Sequence, residues 1–321
     1  MTNPYPKPFP PPWADAWGDD RYGLWASVQV GSVLQRMRWL SAGTFMMGSP
    51  ASEVGRMENE GPQHEVTLTN DSWLADTACT QALWEAVMGG NPSHFKGDAD
   101  LPVESVSWDD VQEFLAKFQG YLPDGIEAVL PTEAEWEYAC RAGSTTAFSF
   151  GDNITTDDVN YDGNYPYADA SKGGYREKTV AVKALPANKW GLYQMHGNVW
   201  EWCADDQRDY TANAMTNPSG ATGGGSYAVR GGSWFRLAGL ARAARRLVGP
   251  RGGRILDLGF RFALRSKSPA MAGGQARTAR SAQVARDGPG FGAGAPENIF
   301  SKSAKKSAKL SPPKPPKKPK K

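Results

Sequence analysis

Cysteine and histidine are scarce in this 321-residue chain, at three each. Cys79, Cys140 and Cys203 lack C-x-x-C spacing, which excludes a disulfide framework and makes a reducing cytoplasm the expected setting. His64, His94 and His196 are widely spaced. They form no H-x-x-x-H or two-His-one-carboxylate pattern, so each is expected to be structural. No apolar run reaches the roughly 18 residues a transmembrane helix needs. The opening MTNPYPKPFPPPW lacks the basic-then-apolar order of a secretory signal, and there is no nucleophile elbow or Gly-rich phosphate loop. Acidic residues nearly vanish at the end: residues 266–321 hold 13 Lys+Arg against 2 Asp+Glu, or +11. With a net charge of +2 overall, residues 1–265 carry −9.

What is abundant points to a loop-rich fold with a real core: 40% hydrophobic residues, 12 Trp, 36 Gly and 24 Pro. Residues 1–20 are Pro-rich without alternation and are expected to be an arm, extended or laid over the body. VQVGSVLQRMRWL and GTFMMGS read as strands joined by a Ser-Ala-Gly turn, and His64–Leu68 as an alternating strand. Thr77 or Thr80 caps a first helix, with Leu83, Trp84 and Val87 on one face and Gly89-Gly90 closing it. Ser107 caps a second, in which Val111, Phe114, Leu115 and Phe118 repeat at helical spacing. Thr132 and Glu135 form the capping box of a third, ended by Gly143. From Ser144 to Phe262 the pattern is turns, short strands and Trp, which makes an α+β domain over residues 21–265.

The tail, 266–321, is Ala, Gly, Ser, Pro, Lys and Arg. It cannot bury enough surface to offset its ordering entropy and is expected to be disordered. It is either a solubilising extension or an electrostatic arm for nucleic acid or an anionic surface. With no aromatics interleaved among its Lys, it offers charge rather than base readout.

The stretch Arg230–Phe262 stands apart. RGGSW and LGFRF are patterned ends around 23 residues, Phe235–Asp257, that follow no helical or strand period. Six of the 23 are Arg and one is acidic. Exposed Arg and apolar side chains on a rigid scaffold are a binding surface in chemical terms.

Taken in order, GTFMMGS, LPVESVSWDDV, LPTEAEWEYACRAG, NKWGLYQMHGNVWEW, RGGSW and LGFR resemble the formylglycine-generating enzyme (sulfatase-modifying factor) superfamily, over about residues 25–265. The resemblance implies an elaborated C-type-lectin-like fold. The family's oxidases bind copper through two Cys, two residues beyond the aromatic of RGGSW and five further on. The matching positions are Arg236 and Ala241. Neither supplies the soft thiolate that Cu(I) requires, so no copper is expected. The family's sulfoxide synthases use a His cluster from another domain, which has no counterpart here. Cys140 matches one partner of a family disulfide, but Phe262 stands at the other position, so a reduced core thiol is expected. Glu133, Glu135 and Glu137 are accounted for by their place in the first turns of a capped helix.

The resemblance also implies a calcium site at Gln194, Gly197, Val199 and Glu201, where an amide, two carbonyls and a carboxylate give hard oxygen donors. The other reading is that Glu201 holds its loop through hydrogen bonds without metal. A second family site matches Asn160, Tyr161, Gly173 and Tyr175, with Gly173 in place of the family's Asp. Another branch of the fold comprises the variable proteins of diversity-generating retroelements, in which adenine mutagenesis rewrites residues between RGGSW and GFR. Substituting the adenines of an AAY codon cannot give Lys, Glu, Gln, Met or Trp, and Phe235–Asp257 contains none of them. Phe235, Arg236, Leu237, Leu240, Arg245, Leu247, Val248, Gly253, Ile255, Leu256 and Asp257 are each reachable. The expected function is thus non-catalytic binding of a protein or other macromolecule through residues 235–257. The alternative is a formylglycine-generating oxidoreductase that uses non-standard residues.

Overall fold

The computed structural model describes residues 6–220 and 225–267; the tail beyond Lys267 lies outside them. The chain begins with a meander, β1 (Ala16–Asp20), β2 (Gly23–Val30) and β3 (Val33–Leu40), followed by β4 (Gly43–Met47), β5 (His64–Leu68) and β6 (Ser72–Ala75). Helices α1 (Gln81–Met88) and α2 (Trp108–Phe118), strand β7 (Ile126–Val129) and helix α3 (Glu133–Arg141) come next. Six short strands, β8 (Trp200–Trp202), β9 (Met215–Thr216), β10 (Ser226–Arg230), β11 (Leu247–Pro250), β12 (Leu258–Gly259) and β13 (Ala263–Ser266), close the fold. The mixture of few helices and many short strands is the α+β class expected.

The helix boundaries follow local chemistry. The Thr80 hydroxyl accepts from Leu83 N, and Gly89 ends α1 in the left-handed region at φ 82°, where a side chain would be strained. Ser107 and Asp110 form a reciprocal capping box on α2, as do Thr132 and Glu135 on α3.

Three sheets result, in orders β1-β2-β3-β6-β13-β7, β11-β10-β8-β12 and β4-β5-β9. Strand β13 lies between β6 and β7, with Ala263 opposite both Leu74 and Val129, so the end of the domain sits inside its first sheet. The segment Ala16–Asp20 is that sheet's edge strand, and Trp13 is buried edge-on against Trp73. Part of the Pro-rich opening thus belongs to the body. The main core packs Trp84 parallel to Phe114 (ring centroids 5.4 Å apart) and Phe114 and Phe118 against Phe260 and Phe262. Each fully buried side chain of this kind contributes about 1.5–3 kcal/mol.

Candidate functional site

The stretch between RGGSW and GFR begins at a close approach. Gly232 adopts φ 75°, and a Cβ there would run into the backbone of Ala241. The chain then makes a short 3-10 turn, Ala238–Ala241, pairs β11 with β10, and turns through residues 250–253. This path sends much of the supposed surface inward. Arg245, Leu247, Val248 and Asp257 are each 6% exposed or less. Their expected exposure is corrected by this burial: Leu247 and Val248 occupy a paired strand, and Arg245 and Asp257 are drawn in by charge partners. Phe235, Arg236, Leu240, Gly253, Ile255 and Leu256 are partly exposed, and Leu237 is 46% exposed.

The arginines form a frame. Charge buried in a protein must be paired and hydrogen-bonded, and each Arg of the stretch meets an acid. Arg242, fully buried, donates to both oxygens of Glu60 at 2.7 Å, to Glu53 at 2.5 Å and to the Gly55 carbonyl at 2.7 Å. Arg245 lies 3.7 Å from Glu60. Arg246 clasps Glu133 through two bonds of 2.7 and 2.6 Å and stacks over Tyr210. Arg236 reaches Asp257 at 3.3 Å, while Arg251 and Arg254 pair with Asp109 and Asp110 at the surface.

All three Glu of TEAEWEY, on α3, do more than interact with its dipole. Glu135 makes the capping box. Glu133 receives Arg246. Glu137, fully buried, accepts from Gly48 N at 2.9 Å and from Arg141 Nε at 2.9 Å, and it also binds Arg230. Burial alone would raise the Glu137 carboxyl, but Arg141 and Arg230 outweigh it and hold the group below its ordinary value. For Glu53 burial wins over Arg242 and the carboxyl is pushed up.

Above this frame lies an apolar, aromatic face. Trp234 meets Phe95 edge-on at 5.3 Å, Phe235 at 5.3 Å and Tyr175 nearly parallel at 6.2 Å. The Asp162 N–H donates to Arg236 O and the Ala238 N–H to Tyr165 O, which brings the 62%-exposed Tyr165 to the same segment. Sequence reading missed Phe95 and Tyr165 because nothing local marks them, and it placed Tyr175 only at a family calcium position. Folding brings Phe95 and Tyr175 to Trp234 and Tyr165 to Ala238. Beneath the face, the Ser233 hydroxyl donates to Asp257 at 2.7 Å. Glu104 accepts from Phe95 N at 2.8 Å and from the Ser105 hydroxyl at 2.7 Å. Burial pushes Glu104 up to about 7, with the charge of Asp257 adding to it.

Cysteine and histidine are arranged differently. Ala241, at the second of the family's Cys positions, is buried, and its carbonyl accepts from His196 Nδ1 at 2.6 Å. His196 Nε2 in turn accepts from Ser149 N at 3.0 Å, and burial lowers its pKa to about 4, so the ring is neutral. Cys140 lies 3.6 Å from that ring as a free, buried thiol, and Cys79 and Cys203 are also free and buried. Desolvation pushes all three thiols up, away from the nucleophilic thiolate form. His64 accepts from Arg208 at 2.9 Å and His94 packs on Phe95, so the three His do not converge. Among the described residues no group of three His, Cys, Asp or Glu could hold a metal ion.

The donor set at Gln194–Glu201 is a poor match for calcium. Gln194 Oε1 is buried without a partner, which leaves one oxygen available. Both oxygens of Glu201, however, are taken by Arg261 at 2.7 and 2.8 Å, and Trp136 Nε1 adds a bond of 2.7 Å. The single carboxylate is therefore neutralised, and calcium affinity depends on ligand charge. At Asn160, Tyr161, Gly173 and Tyr175 a side chain on Gly173 would run into Thr156, leaving no room for an aspartate. Melting in excess chelator is expected to match melting in millimolar calcium; a higher melting temperature with calcium would restore the site.

Comparison with known proteins places the architecture. A family model described as the sulfatase-modifying factor enzyme 1-like domain matches residues 26–266. The formylglycine-generating enzyme of Streptomyces coelicolor is 31% identical over 198 residues, 57% of this chain and 60% of its own. The inactive C-alpha-formylglycine-generating enzyme 2 of Mus musculus is 30% identical over 196 residues, 59% of this chain and 57% of its own. The chain thus spans less than two thirds of these relatives' lengths. Among solved structures, Treponema denticola variable protein 1 superposes with a TM-score of 0.64 at 27% identity, covering 74% of this chain and 98% of that one. PvdO from Pseudomonas aeruginosa does so with a TM-score of 0.62 at 25% identity, covering 74% and 97%. The fold is that of these C-type-lectin-like proteins, and the chain belongs to the sulfatase-modifying factor enzyme 1-like, or formylglycine-generating enzyme, domain family.

Proposed function

We propose that this protein is a non-catalytic member of its family that binds a macromolecular partner through the exposed part of the 235–257 stretch. The observation that carries the reading is the replacement of the family's two copper-binding Cys positions by Arg236, paired with Asp257, and Ala241, buried under His196. The remaining thiols are enclosed elsewhere in the core. An oxidase would need a different thiol donor, and none reaches the face.

The binding surface in this proposal comprises Phe235, Arg236, Leu237, Leu240, Gly253, Ile255 and Leu256, extended by Phe95, Tyr165 and Tyr175. Aromatic and Arg side chains around a desolvated centre are the usual anchors of protein recognition. Arg245, Leu247, Val248 and Asp257 belong to the support. The basic tail adds a sequence-independent attraction to nucleic acid or another anionic surface.

The resemblance to a protein named for its variability, and the absence of Lys, Glu, Gln, Met and Trp from Phe235–Asp257, favour a diversified surface of the retroelement type. The surrounding DNA tests this. The reading expects a near-repeat of the segment coding for Arg230–Arg261, beside a reverse transcriptase gene and differing only at adenines. A locus without such a repeat would leave a fixed binding surface and remove the diversification claim.

A further inference from the structure

A groove of about 440 Å³ opens on the side of the domain reached by the Arg242 frame. Pro50, Glu53 and Val54 form one wall, Asp152 another, and Tyr167 and Asp169 a third. The Tyr167 hydroxyl donates to Val54 O at 2.7 Å, which fixes the ring in the lining. The lining holds three carboxylates and no Lys or Arg. Glu53 is answered from beneath by Arg242, but Asp152 and Asp169 are exposed and make no side-chain hydrogen bond or ion pair among the described residues. The groove therefore presents an exposed Val and two uncompensated negative charges over the largely buried Tyr167 ring.

The same chain carries the complementary chemistry. Its last eleven residues, Ser311–Lys321 (SPPKPPKKPKK), contain five Pro, five Lys and no acid. Proline fixes φ in advance, so such a segment loses little entropy when its Lys side chains meet an acidic groove. Residues 268–310 separate it from Lys267, and at a maximum of roughly 3.3–3.6 Å per residue that length of chain is ample to reach any point on a domain of this size. Tethering of this kind gives an effective concentration on the order of millimolar. The body at −9 is also the nearest anionic surface available to a tail at +11. We propose that the groove is the docking site of the chain's own Ser311–Lys321 segment, which occupies it until an anionic partner competes the segment away.

The test uses the full chain and a zero-length carbodiimide cross-linker, which joins a carboxylate to a Lys amine only when the two are in contact. The expected product is monomeric, with a Lys of the 314–321 segment joined to Asp152 or Asp169. Its yield falls to background in the Asp152→Asn/Asp169→Asn variant and at about 0.5 M salt, where the Debye length drops below 5 Å. Both positions are exposed, so the variant melts like the wild type, and melting is measured alongside to show it. The proposal is overturned if tail cross-links spread over other acidic residues without favouring this groove. It also fails if the double variant leaves them unchanged, or if they form only between two molecules.

Discussion

Replacing Arg242 with alanine is expected to cost about 3–5 kcal/mol of folding stability, the penalty for removing one member of a buried ion pair. The guanidinium is fully buried and bridges Glu60, Glu53 and the Gly55 carbonyl. Its loss strands the Glu60 carboxylate, itself fully buried, and unpins the 53–60 segment from the 238–246 segment. For a domain of this size each kcal/mol corresponds to about 2–4 °C, so a fall in melting temperature of roughly 6–20 °C is expected. Arg251→Ala removes an arginine from the same stretch, but its pair with Asp109 is half exposed, and melting is expected to stay unchanged. Calorimetry on the two variants checks the contrast. Equal effects would mean that the stretch is not divided into frame and face.

Glu137→Gln is expected to have an effect of similar size, with a distinctive dependence on pH. In the fold Arg141 and Arg230 overcome burial and keep the Glu137 carboxyl below its ordinary value of 4.5. A depressed carboxyl stabilises the fold fully above its unfolded pKa, and that contribution is lost as pH falls from about 4.5 through the folded value. The wild type should therefore lose stability steeply in that acid window. The variant should be less stable near pH 7, by about 3–5 kcal/mol, because it leaves two buried guanidinium groups short of a charge. It should also show a shallower decline in acid. Urea unfolding at several pH values separates the two, and parallel acid profiles would contradict the assignment.

How much of this was legible beforehand depends on the range of the interaction. The caps of α2 and α3 are local, so Ser107 and the Thr132–Glu135 box could be read directly, as could the strand at His64. At α1 the choice between Thr77 and Thr80 falls to Thr80. VQVGSVLQRMRWL, expected to join GTFMMGS through Ser-Ala-Gly, instead folds on itself as the β2–β3 pair, with β4 in another sheet. The family motifs identified the frame, RGGSW and LGFR, and the place where catalytic Cys would stand. The arginine stretch was misjudged because its partners are remote: Glu60 lies 182 residues from Arg242, and Glu133 lies 113 from Arg246. An excess of Arg in one segment looks like exposed charge until folding brings in the Glu residues of ENE and TEAEWE. The imbalance of six Arg to one acid was itself a signal, had it been matched to those buried-looking Glu clusters. Phe95 and Tyr165 were invisible for the same reason, and Tyr175 could be placed only at a family calcium position, since only folding brings these rings to the 234–238 segment. The proposed tail segment lies beyond the described residues.

The claim that this domain recognises rather than oxidises is tested most directly by incubating the full chain with copper, oxygen and a sulfatase-type Cys peptide, then weighing the peptide by mass spectrometry. With Arg236 and Ala241 at the thiol positions and Cys79, Cys140 and Cys203 enclosed in the core, the peptide should keep its cysteine mass. Appearance of the formylglycine aldehyde would contradict the account and restore the oxidase.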